Sequence, residues 1–135
     1  MWQPEVAQTT VRSGLPAAWH ATHPGAFAFW RGWGSILTAA GEQDLTPRTE
    51  EEWKRVEDGA ATVVIATNAI MIPAYAREPR DEWNKSAQIV LDVALRAKVA
   101  AEKKDVSAMS ALGEELDTAC DACHMKFDTR IKKGS

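Results

Sequence analysis

Cysteine and tyrosine are scarce in this chain of 135 residues, which contains two cysteines and one tyrosine. Two cysteines cannot build the framework of several disulfides that holds small secreted scaffolds together. Long apolar runs are lacking too, since no stretch reaches the roughly 18–20 uncharged apolar residues of a membrane span. An excess of positive charge is also absent, because 16 basic and 19 acidic side chains give a net charge of −3. This balance argues against a nucleic-acid binder that works by phosphate neutralisation.

The chain does contain enough apolar residues for a real hydrophobic core. They make up 45% of the sequence, too many for a disordered chain, and the length suits one domain. We therefore expect a single domain over residues 1–135. Residues 1–23 show little helical pattern, and we expect them to form an irregular N-terminal segment.

Both cysteines lie near the C-terminus, in the run Cys120-Asp121-Ala122-Cys123-His124. A C-x-x-C-H run is the attachment signal of c-type haem. Residues three apart on a helix share a face, so both thiols can form thioethers to one porphyrin edge. The adjoining His124 is then placed to give an imidazole nitrogen to the iron. The motif predicts one haem c, bound covalently through Cys120 and Cys123.

Two other interpretations of the cysteine pair are weaker. A C-x-x-C redox pair usually follows a strand at the start of a helix, and no strand pattern precedes this one. A zinc site needs about four ligands, and only His20 and His23 remain as further nitrogen donors. The haem interpretation is therefore favoured.

Apolar residues recur three and four positions apart over most of the chain, which predicts helices. A first helix is expected to open at Pro24-Gly25, to run through Leu37 and to end at Gly41. A second is expected to start at Thr46-Pro47 and to stop at Pro73. A third follows Pro79, and a fourth follows a break at 102–105. The sequence shows no Asn-Gly or Asp-Gly hairpin signal, so we expect an all-α fold, an antiparallel up-down-up-down four-helix bundle with the haem-attachment helix at its C-terminal end.

The motif and its position resemble those of a known family. A C-x-x-C-H run on the last helix of an all-helical chain of this length, followed by Phe127 and Arg130, is similar to the class II c-type cytochromes, the cytochrome c′ and cytochrome c556 group. The segments at 47–53 and 68–73 look like a less characterised bacterial branch of it. The resemblance implies a four-helix bundle over roughly residues 24–131. It also implies that Cys120 and Cys123 hold the haem, that His124 is the proximal ligand and that Phe127 lies beside the cofactor.

The sixth ligand of the iron is where the chain departs from the family. Six-coordinate members take a methionine from the first helix, and the predicted first helix contains neither methionine nor histidine. In an up-down bundle, the end of the fourth helix lies near the end of the second, so Met71 is the first candidate, with His20 and His23 as alternatives. An iron left five-coordinate remains open. Trp30, Trp33, Trp53 and Trp83 are expected to fill the core and the haem wall, and Trp2 and Trp19 to cover the haem edge.

The leading function is a monohaem electron carrier that cycles between Fe(III) and Fe(II). An enzyme, for instance a weak peroxidase, is not expected, because the sequence shows no convergent distal acid–base group such as a placed His/Arg pair. The alternative is a five-coordinate haem protein that binds nitric oxide or carbon monoxide as cytochrome c′ does. Redox proteins are the expected partners, with a homodimer as a further option. A basic rim at the haem end is the expected docking face: Arg77, Arg80, Lys126, Arg130, Lys132 and Lys133. Because c-type haem is attached outside the bacterial inner membrane, we expect an exported periplasmic protein. No charged and apolar leader opens the sequence, which suggests a processed chain.

Overall fold

The computed structural model describes residues 24–128, so the predictions for His20, His23, Arg130 and the tails lie outside the described residues. This part of the chain is mostly helical, with four helices and a small two-stranded sheet. In chain order the elements are helix α1 (24–30), strands β1 (Ser35–Thr38) and β2 (Gly41–Asp44), and helices α2 (Glu50–Ile70), α3 (Arg80–Glu102) and α4 (Val106–Phe127).

The long helices begin where local capping chemistry favours them. At the start of α2, Thr49 and Glu52 form a capping box, in which each side chain accepts a hydrogen bond from the other residue's backbone N–H. Helix α2 therefore starts at Glu50, and the prediction of a start at Thr46-Pro47 is wrong. Helix α3 follows Pro79 as expected, and Asp105 caps α4 by accepting from the N–H of Ala108 at 3.0 Å.

The predicted first helix is too long, and the all-α expectation needs a correction. Helix α1 ends at residue 30, and a hairpin occupies most of the segment assigned to its second half. Strands β1 and β2 pair antiparallel from Ser35 opposite Asp44 to Thr38 opposite Gly41. The two-residue loop Ala39-Ala40 carries none of the usual turn residues. The residue after the loop, Gly41, has a φ of 116°, which glycine adopts readily. The Thr38 hydroxyl also stabilises the turn, because it donates a hydrogen bond to the carbonyl oxygen of Gly41 at 2.9 Å.

The three long helices form one packed body, in which α2 packs along α3 and α3 packs along α4. Glu50 at the start of α2 forms an ion pair with Lys104 just after α3. Arg96 in α3 pairs with Glu115 in α4, with 2.7 Å between nitrogen and oxygen. The core between the helices contains many small residues, which allows a close approach. Its members include Val63, Ala87, Ala94, Ala97, Met109 and Leu116.

Helix α1 and the turn after it join this body through close approaches at three glycines and through two tryptophans. Gly25 and Gly59 lie so close that a Cβ on either would stand 2.9 Å or less from the other's carbonyl oxygen. The indole N–H of Trp30 donates to the carbonyl of Gly113 at 3.1 Å, and Trp33 covers the same glycine. The expectation that Trp30, Trp33 and Trp53 pack against the core is confirmed.

Within residues 24–128, no helix is both long enough and apolar enough to cross a membrane.

Candidate functional site

The C-x-x-C-H residues lie in the last two turns of α4. Cys123 is buried, with 9% of its surface exposed, and Cys120 and His124 are half-buried. At 100° per residue, the three positions fall within about 100° of one another around the helix axis. The fold therefore keeps both thiols and the imidazole on one side of a continuous helix, as the sequence pattern predicts.

Cys123 lies in a small apolar cluster at this end of the molecule. It packs with Trp83 and Phe127, and Ile70 and Ala76 pack against this group. The rings of Trp83 and Phe127 meet edge to face, with centroids 5.1 Å apart and an interplanar angle of 78°. We call these five residues the Cys123 cluster. It unites the end of α2, the start of α3 and the end of α4 around one thiol.

Cys120 has different neighbours, because its side chain packs against the main core. It follows Gly113 by seven residues, or about two helical turns, so both lie on one strip of α4, and His124 continues that strip. The tryptophans of the α1 region cover this strip at Gly113. The strip that carries Cys120 and His124 is thus the one that faces the α1 side.

The environment of the thiols raises their pKa values. Burial, with smaller effects from Cys123, Asp117 and Asp121, raises the pKa of Cys120 to about 11. Burial also raises the pKa of Cys123, and the positive charges of Arg77 and Lys126 oppose this effect. Reactive C-x-x-C redox pairs depend on a lowered thiol pKa, commonly at a helix N-terminus, whereas these thiols lie at a helix C-terminus. The arrangement disfavours a dithiol redox catalyst.

The candidate sixth ligand, Met71, directly follows α2 and adjoins Ile70 of the Cys123 cluster. Its Sδ lies 3.4 Å from Nε2 of Gln88, an exposed residue of α3. A bond to iron would require the sulfur to leave this contact. Met109 is fully buried 15 residues before His124, about 22 Å along the helix, and Met125 is 62% exposed. Met71 therefore stays a prediction.

Of the three basic residues of the expected rim that the structure describes, two lie beside acidic side chains. Lys126 bonds to Glu82, with 2.6 Å between nitrogen and oxygen, and Arg80 lies 3.9 Å from Glu78. Arg77 donates to the carbonyl oxygen of Phe127 at 2.8 Å. The other three expected members of the rim, at 130, 132 and 133, lie outside the described residues.

A groove of about 780 Å³ runs between α3 and α4. Its walls include Ala119 and Ala122, which lie on the side of α4 away from Cys120 and His124. Gln88, which holds Met71, lines the same groove. This cavity is therefore separate from the side on which the motif residues project.

No group of three or more metal-ligating side chains occurs within the described part of the chain. A zinc site built by residues 24–128 alone therefore finds no support, whereas a haem iron needs only an imidazole from the protein on its proximal side. The comparisons with known proteins add no assignment: no family model, no curated protein and no solved structure matches the chain.

Sequence reasoning missed two features of this site. One is the close contact between Gly113 and Trp33. The sequence signal for it was the seven-residue spacing between Gly113 and Cys120, which places both residues on the same strip of a helix. The other is the bond from Arg77 to Phe127, between residues 50 positions apart, for which the sequence carries no local signal.

Proposed function

We propose that this chain is a monohaem c-type cytochrome that transfers electrons as its iron cycles between Fe(III) and Fe(II). The observation that supports this proposal is the placement of the C-x-x-C-H run. Both thiols and the adjoining imidazole share one side of α4, and the Cys123 thiol is buried in an apolar cluster. The donor set fits the cofactor, because two neutral thiols and one imidazole suit thioether attachment and axial ligation.

The proposed architecture is an antiparallel up-down-up-down helical bundle of the cytochrome c′ type, modified by the β1–β2 hairpin. Contacts between helix ends support it. The start of α2 pairs with the end of α3 through Glu50 and Lys104, and the start of α3 pairs with the end of α4 through Glu82 and Lys126. Consecutive helices that meet in this way run in opposite directions.

The chain's own residues would hold, orient and shield the cofactor. Cys120 and Cys123 would each hold the haem through a thioether, the product of adding the thiol S–H across a porphyrin vinyl group. His124 would supply the proximal nitrogen, and Trp83 and Phe127 would exclude water from the side of Cys123. When bound, the haem supplies the one-electron couple, and its burial and axial ligation set the potential.

Expression with a bacterial haem-ligation system tests the attachment. The purified chain should retain haem after denaturation, with a mass increase of one haem. The double variant Cys120→Ser, Cys123→Ser should lose it, while Ala122→Ser, which places a hydroxyl between them at an exposed position, should keep it. A correctly matured wild-type chain without covalent haem would overturn the proposal.

A second candidate function, binding of nitric oxide or carbon monoxide at a five-coordinate iron, is favoured by one observation. The Met71 sulfur is turned to Gln88 and not toward the strip of His124. Optical spectra of the reduced protein with and without carbon monoxide separate the two functions. A low-spin spectrum that carbon monoxide leaves unchanged supports the electron carrier, and a high-spin spectrum that shifts supports the gas-binding protein.

The proposed partners are redox proteins, with a homodimer as an additional assembly, and the proposed location is the bacterial periplasm, where haem is attached to such motifs. Because Lys126 and Arg80 are neighboured by acids, electrostatic steering by this end would be modest. Electron-transfer rates that do not change with ionic strength would exclude a charged docking face.

A further inference from the structure

Arg77 connects two distant parts of the chain at the haem-attachment end. It lies between α2 and α3, is half-buried and follows Ala76 of the Cys123 cluster. Its guanidinium donates to the carbonyl oxygen of Phe127, the last residue of α4, at 2.8 Å. Phe127 itself packs on Cys123 and Trp83. The guanidinium is thus fixed one helical turn beyond the predicted proximal ligand.

The bond satisfies a specific need of α4. The last four carbonyls of a helix have no partner within the helix, and they form the negative end of its dipole. The N–H of Asp128 donates to the carbonyl of His124 and closes the last turn, so the carbonyl of Phe127 lies beyond it. Arg77 supplies both a donor and a full positive charge there.

Arg77 differs from the nearby cations Lys126 and Arg80 in the charge of its partner. Lys126 and Arg80 are next to Glu82 and Glu78, which cancel much of their field. Within residues 24–128, no salt bridge includes Arg77, whose bonded partner is a neutral carbonyl. The carbonyl that holds it belongs to the last residue of α4, three positions after His124.

We infer that Arg77 is a positioning residue of the haem site, which fixes the last turn of α4 and whose positive charge, outside every salt bridge of residues 24–128, raises the reduction potential of the iron. This inference rests on the proposed haem attachment. A fixed cation near the iron stabilises Fe(II) over Fe(III), because reduction lowers the positive charge of the cofactor. The helix dipole acts in the opposite sense at this end, so Arg77 offsets it.

The test is the midpoint potential of the haem-loaded protein, measured by optical redox titration. Arg77→Gln keeps a donor for the Phe127 carbonyl and removes the charge. We expect this variant to lower the equilibrium constant for reduction of the iron by about tenfold. The midpoint potential would then fall by about 59 mV for a one-electron couple. Arg77→Lys retains the charge and should stay near the wild-type potential. Arg80→Gln removes a cation from the same segment, one already beside Glu78, and serves as the matched control with an unchanged potential.

The outcomes separate this inference from the function on which it rests. A wild type that carries no covalent haem overturns the proposed function. Covalent haem with equal potentials in wild type and Arg77→Gln overturns the inference alone, as does an equal fall in Arg80→Gln. If Arg77→Gln does not fold, the test rests on Arg77→Lys. A midpoint potential near that of the wild type supports the charge effect, and a tenfold fall in the equilibrium constant for reduction overturns it.

Discussion

The indole N–H of Trp83 donates to the carbonyl oxygen of Ile70 at 2.7 Å, which ties the first turn of α3 to the end of α2. The carbonyl belongs to the last turn of α2 and has no helical partner, so the bond satisfies a group that burial would otherwise penalise. The same ring meets Phe127 edge to face. Trp83 therefore joins three helix ends around Cys123.

Replacement of Trp83 should separate its ring contacts from its hydrogen bond. Trp83→Ala removes both, and we expect a loss of about 3–5 kcal/mol in the free energy of unfolding. Trp83→Phe keeps an aromatic ring but leaves the Ile70 carbonyl without its donor, and it should cost about 1–3 kcal/mol. Urea unfolding measures both values. Trp53→Phe, in the main core, is the control, and a Trp83→Phe protein as stable as wild type would contradict the role of the hydrogen bond.

A Cβ at Gly113 should disturb the contact between α4 and Trp33, which lies in the turn after α1. It would lie 2.3 Å from Cζ2 of Trp33, which is far inside van der Waals distance. Gly113→Ala should therefore destabilise the fold by about 1–3 kcal/mol, despite the better helix propensity of alanine. Trp33→Leu removes the obstructing ring, so the double variant should lose less stability than the sum of the two single variants. A purely additive double-mutant cycle would show that the two residues do not interact.

The long helices were predictable because local signals agree with the final packing. The three-and-four spacing of apolar residues marks α2, α3 and α4, while Pro79 and the break at 102–105 mark real boundaries. The motif's common face also follows from spacing alone, since the helix continues through Phe127. Helix order, helix number and the side of α4 on which the thiols project were all accessible from the sequence.

The hairpin was not predictable by the same route. Phe27, Trp30, Trp33, Ile36 and Leu37 continue a helical spacing, yet the chain leaves the helix after residue 30. Ile36 and Leu37 do not enter the core, since 45% and 86% of their surfaces are exposed. Apolar periodicity records a possible helix face, and it does not tell whether another element covers that face. The turn residues Ala39 and Ala40 are not typical of a hairpin, and the nearest glycine, Gly41, follows the turn.

The raised pKa of Cys120 gives a kinetic prediction for the haem-free chain. With a pKa of about 11 instead of 9.0, its thiolate fraction at pH 8 is about 100-fold lower, so alkylation by iodoacetamide should slow by a similar factor. The same chain in urea should react at the rate of an ordinary thiol. Equal rates in the folded and unfolded chains would contradict the burial of this side chain.

The same pKa shift predicts a pH dependence of stability. A thiol with a higher pKa in the folded state keeps its proton there while the unfolded chain loses it, so the folded state binds more protons between pH 9 and 11. The stabilisation is complete below pH 9 and is lost as the pH rises through about 11. This stabilisation should contribute on the order of 2 kcal/mol to the free energy of unfolding. It is measured as the difference in that free energy between wild type and Cys120→Ala, because the other groups titrate in both proteins. A difference that stays constant from pH 8 to 11 would contradict the shift.

The sixth ligand is the prediction on which the two candidate functions diverge. If Met71 binds the iron, its sulfur must exchange Gln88 for the metal, and Met71→Ala should turn a low-spin spectrum into a high-spin one that responds to carbon monoxide. Gln88→Ala is the matched control, since it removes the competing contact and should leave the low-spin spectrum intact. A wild type that is already high-spin, and that Met71→Ala leaves unchanged, would place Met71 outside the iron's coordination. The thioether would then only fill the space where α2 ends against α3, and the open position on the iron would be available to a diatomic gas.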